Sequence, residues 1–65
     1  MSEFIKSQHE LRNNLITQVR EVIDFAESEA RGLDAAELSK INAIEVDISK
    51  ADETITAATR SESRA

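Results

Sequence analysis

His9 is the one histidine of the chain and stands in a polar stretch with Ser7, Gln8 and Glu10. Imidazole is the usual general base near neutral pH. Nucleophilic catalysis needs it held beside a Ser, Cys or Lys and steered by a third group. A single histidine with no cysteine suits neither that arrangement nor a transition-metal site. We read His9 as a solvated or seam-edge side chain. The carboxylates are the other candidates. Glu21, Asp24, Glu27 and Glu29 cluster in sequence, as do Asp47, Asp52 and Glu53. Paired carboxylates do acid–base work in a cleft that perturbs their pKa, and a calcium site needs an oxygen-rich loop. Neither setting is expected here, so the acidic groups read as a solvated face. With one glycine, Gly32, a glycine-rich phosphate loop cannot form. The expectation is no enzyme, no cofactor and no bound metal.

Composition narrows the partners. The 65 residues carry 8 basic and 13 acidic side chains, for a net charge of −5. A phosphate-binding surface concentrates Lys and Arg, and here they are scattered. No nucleic-acid partner is expected, although mimicry of nucleic acid by the acidic face stays open. No apolar run approaches a membrane span, and a membrane-surface helix would want a basic polar face. Residues 1–8 hold no signal-peptide core, which makes the cytoplasm the default compartment. Only Phe4 and Phe25 are aromatic, so the core must be built from Ile, Leu, Val and Ala. A chain this short, with no disulfide or metal, gains stability by associating with something else.

The elements that would carry these residues are helices. Proline is absent, and Gly32 divides two long apolar patterns. Gly32 followed by Leu33 reads as a helix C-terminus, with glycine left-handed and the leucine folding back. Arg31 complements the helix dipole there and pairs with Glu27 one turn earlier. Asp34 reads as an N-cap, and Glu37 three residues on completes a capping box. This predicts helix 1 over about 3–31, a turn at 32–34, helix 2 over about 35–58, and a flexible tail or linker at 59–65, the hairpin occupying 1–58. So short a connection forces the helices antiparallel.

Ile16, Val19, Ile23, Ala26 and Ala30 alternate steps of three and four, the spacing of a helix-pairing seam. Ile41, Ile44, Ile48, Ala51 and Ile55 form the matching edge, with Leu38 at the turn end. Folding at Gly32 sets Ala30 against Leu38, Ala26 against Ile41 and Val19 against Ile48. Phe4, Leu11, Leu15, Val22 and Phe25 form a second stripe that one partner helix does not cover. An apolar strip of this kind marks a binding surface. The fold class is therefore all-α: an antiparallel, coiled-coil-like two-helix hairpin that self-associates into a larger helical bundle.

Three segments carry a resemblance: Glu10-Leu11-Arg12, then Val19 to Asp24, then Ala26-Glu27-Ser28-Glu29-Ala30-Arg31-Gly32-Leu33-Asp34-Ala35-Ala36-Glu37. Together with Ile41 to Ile48 they resemble the N-terminal scaffold segment, the delta domain, of tailed-phage major capsid proteins. Asn13-Asn14 depart from it, since the family carries charged residues or Ala there. The resemblance implies assembly. Such a segment lies inside the immature shell in the host cytoplasm, helps coat subunits associate, and in many such phages is removed by a maturation protease. In that family a coat domain follows such a segment. The other reading is a stand-alone adaptor that binds another protein through the second stripe.

Overall fold

The computed structural model describes residues 2–64. Met1, the start of the expected hairpin, and Ala65, the end of the expected tail, lie outside the described residues. The chain is an all-α hairpin of two helices, α1 (Glu3–Ser28) and α2 (Ala35–Arg64). They form a rod with extents of 51 × 16 × 11 Å.

α1 begins where Ser2, in extended conformation, accepts a hydrogen bond from the Ile5 N–H at 3.1 Å. This satisfies one of the donors that a first turn leaves free. Its other end corrects the expected turn. The helix stops at Ser28 rather than near residue 31, and the left-handed residue is Ala30, with φ 53°. Ala30 N–H donates to the Glu27 carbonyl at 2.9 Å, and Arg31 N–H reaches back to the Ala26 carbonyl at 3.2 Å. This pair of bonds is the Schellman closure, carried here by an alanine. Gly32 does not have a positive φ. The early stop releases Arg31 from the helix, and its guanidinium spans the loop to Glu29, the Gly32 carbonyl and Glu37. The expected pair with Glu27 gives way to these.

α2 is opened by a reciprocal pair. Glu37 N–H donates to Asp34 Oδ1 at 2.8 Å, and Asp34 N–H donates to Glu37 Oε1 at 3.1 Å. Both satisfy helix-start donors with local carboxylates. At its far end α2 runs to Arg64, so the tail expected from residue 59 is helical as far as it is described. Register explains the extension. Arg12 Nε donates to Asp52. Seven residues outward on each helix bring Ile5 level with Thr59. The last turns of α2 thus flank the first turns of α1, where Ile5 is 3% exposed.

The core is thin. Ile5, Leu15 and Ala26 of α1 and Ile41, Ile44 and Ala51 of α2 are buried. Around them Gln8, Arg12, Val19, Val22, Ile48, Ile55 and Ala58 are half-buried.

Candidate interaction surfaces

Burial on α1 follows 5, 8, 12, 15, 19, 22, 26, alternating three and four. This is a coiled-coil seam, turned from the expected one. Leu15 and Val22, expected on the partner-binding stripe, lie inward, Leu15 at 8% exposure. Ile23, expected in the seam, is 43% exposed, and Ile16 is half-buried at the edge. Ala30 has left the helix and is exposed. The physical reason is a degeneracy. Residues 15, 16, 19, 22, 23 and 26 are all apolar, so two series with the same step rule fit, about half a residue step (roughly 50°) apart. Ile5, Gln8 and Arg12 decide between them. They extend only the inner series, and two of the three are polar, which hid the pattern in the sequence.

On α2, Ile41, Ile44, Ile48, Ala51 and Ile55 lie in the seam, but Leu38 does not and is 47% exposed. The cap is responsible. Glu37 occupies the seam end, half-buried, with its carboxylate engaged by Asp34 and Arg31, and this rotates Leu38 outward. Leu33, within the loop, is half-buried.

Two flanks result. Phe4, Leu11, Gln18 and Phe25, seven residues apart, run along one side of α1. Phe4, Leu11 and Phe25 are 55%, 45% and 56% exposed. This flank is interrupted by Gln18, and its turn end is dressed with charge: the Arg31 guanidinium lies 5.6 Å from the Phe25 ring centroid, a cation–π contact. Glu21, Glu37 and Lys40 line the adjoining hollow. Along the opposite flank Ile16, Val19 and Ile23 of α1 and Ile48 of α2 line a groove of about 360 Å³, with Arg20 on one wall and Glu45 on the other. Val46, which the sequence reading did not single out, is 55% exposed on the outer face of α2.

The strongest electrostatic feature is the loop. Arg31 Nη1 and Nη2 donate to Glu37 Oε1 and Oε2 at 2.7 and 3.2 Å, and Nε donates to Glu29 Oε1 at 2.6 Å. Hydrogen bonds from Arg31, then from the Asp34 backbone, hold the Glu37 carboxyl below its ordinary range. The same carboxylates, Glu37 foremost, push the Arg31 pKa up. This is the chemistry of a structural clasp. Among the described residues no group of three or more His, Asp or Glu side chains is placed to hold a metal ion. Among the described residues no helix is long and apolar enough to cross a membrane.

Comparison of the chain with protein families, with curated proteins and with solved structures gives no match.

Proposed function

We propose that this hairpin is a non-catalytic scaffolding module that promotes coat-subunit association inside a phage procapsid and is removed by proteolysis on maturation. The observation that carries the association reading is the excess of apolar surface over core. Phe4, Leu11 and Phe25 on one flank and Ile23 and Leu38 on the other are each more than 40% exposed, on a seam with six buried residues. Side chains left out of so small a core are available to neighbouring helices. Weak contacts of this kind, repeated over many tethered copies, raise effective concentration while leaving assembly correctable. The phage setting is supported by the resemblance of residues 10–58 to delta domains. In this reading the partners are other copies of the chain, the coat subunits carrying them and a maturation protease, in the host cytoplasm, with neither nucleic acid nor membrane engaged.

The test is expression of the coat protein with and without residues 1–65. Closed shells of uniform size should need the segment; shells that form equally well without it reject the proposal. An adaptor function remains the second reading, favoured by the exposed ring of Phe25. With Leu15 and Val22 withdrawn into the seam, its surface reduces to Phe4, Leu11 and Phe25.

A further inference from the structure

We infer that the groove floored by Ile16, Val19, Ile23 and Ile48 is covered by the same groove of a second copy, on a two-fold axis parallel to the helices, giving a four-helix bundle. This rests on the association reading above and names its first partner and geometry.

Three observations point to it. The first is apolar continuity. The groove is floored by aliphatic side chains from both helices, whereas the Phe4/Leu11/Phe25 flank is broken by Gln18 and covered at one end by Arg31. The second is charge. Arg20 of α1 and Glu45 of α2 both line the groove, the Arg12–Asp52 pair sets residue 20 level with residue 44, one step from Glu45, and among the described residues neither joins an ion pair. A two-fold axis along the rod lays α1 of one copy over α2 of the other, so each Arg20 faces the other copy's Glu45. A two-fold axis across the rod would stack α1 on α1 and leave Arg20 without Glu45 opposite it. Self-complementary walls therefore select the first arrangement. In it every helix is antiparallel to both neighbours, as in an up-and-down bundle. The third is area. The chain exposes 4773 Å², against about 4,100 Å² for a compact monomer of its mass. A standard interface hides about 800 Å² per partner, roughly one sixth of that surface.

Sedimentation equilibrium of the 65-residue chain over a wide concentration range tests this, with circular dichroism to monitor folding. The expected result is a monomer–dimer equilibrium. Arg20→Glu alone and Glu45→Arg alone should each weaken it by about tenfold, through like charges at two junctions. The double variant Arg20→Glu/Glu45→Arg should return it to within about threefold of the parent. Ile23→Glu, at an exposed position, should leave the helix signal and abolish the dimer. A chain that stays monomeric, a dimer indifferent to Ile23→Glu, or one not rescued by the charge exchange overturns the inference. A coat protein that needs residues 1–65 for shells, yet tolerates Ile23→Glu in them, would overturn the dimer and keep the assembly role. A dimer that forms as described beside coat proteins that assemble without the segment would do the reverse.

Discussion

Arg31 and Glu37 face each other across the loop as a two-pronged pair, Nη1 to Oε1 at 2.7 Å and Nη2 to Oε2 at 3.2 Å. The same carboxylate takes the Asp34 N–H that opens α2. One residue just past the end of α1 thus grips the first turn of α2, and the loop is held by side chains as well as by its backbone. Arg31→Ala should raise hydrogen exchange and protease cleavage within residues 29–34 while leaving mid-helix amides protected. Uniform loss of protection along both helices would mean that the clasp is needed for the whole fold.

The Glu37 carboxyl titrates below its ordinary value because Arg31 and then the Asp34 backbone bind its charged form. A group depressed in this way stabilises the fold above the unfolded value, about 4.3 for Glu, and the contribution is lost as pH falls through the lower, folded value. Stability against unfolding, measured at fixed protein concentration, should therefore fall as pH drops below about 4.3. Glu37→Gln keeps the cap geometry and should flatten that part of the profile. A profile unchanged by Glu37→Gln would assign the acid sensitivity to other carboxylates.

Left-handed geometry suits glycine, and it falls on Ala30. Ala30→Gly should stabilise the hairpin by about 1 kcal/mol, the relief of an L-residue in that region. A Cβ added at Gly32 meets nothing within 4 Å. Gly32→Ala should accordingly be neutral or stabilising by up to about 1 kcal/mol, through the unfolded chain. Urea unfolding at equal concentrations reads both. The opposite order, with Gly32→Ala destabilising and Ala30→Gly neutral, would return the reversal to the glycine.

Leu15 and Phe25 separate core from flank. Leu15→Ala should cost about 2–3 kcal/mol, at the low end for a core leucine because the seam is thin. Phe25→Ala should cost about 0.5 kcal/mol in the monomer, as for surface changes. Thermal melts of the dilute chain measure both. Equal losses would place Phe25 inside the core.

Arg12 and Asp52 link the two helices, with side chains 37% and 49% exposed. Solvent screens such a pair, so Asp52→Ala should cost less than about 1 kcal/mol, and less again in high salt. The larger effect should be at the open end of the hairpin, where hydrogen exchange in residues 3–8 and 56–62 should rise in Asp52→Ala while mid-helix amides stay protected. Unchanged exchange there would assign that end to its apolar contacts alone.

The hairpin was legible because its punctuation is chemical. One glycine, an aspartate three residues before a glutamate and two runs of alternating steps leave little else for the chain to do. The α2 edge was legible for a related reason: Ile41, Ile44, Ile48, Ala51 and Ile55 have no competing apolar series beside them. On α1 the apolar arc is too wide to centre from spacing alone, and its true axis passes through Gln8 and Arg12, residues that hydrophobic periodicity ignores. Leu38 was misplaced because a cap and a seam compete for the same turn. The left-handed alanine could not be read from composition, since an available glycine two residues later satisfies the same rule.

Ala30 also makes the loop reversible in a way that a glycine would not. Alanine is the best helix former, and no proline stands anywhere in the chain to stop α1 from running on into α2. Straightening the 29–34 segment would relieve the positive φ and expose the seam, and two straightened chains could then close it again by trading arms. Closed and exchanged forms share the seam contacts, so their balance falls on the loop, where the strain at Ala30 opposes the Arg31–Glu37 clasp and the Asp34–Glu37 cap that straightening would break. Ala30→Gly, favouring the bend and penalising the rod, should remove any slowly interconverting species seen at high concentration.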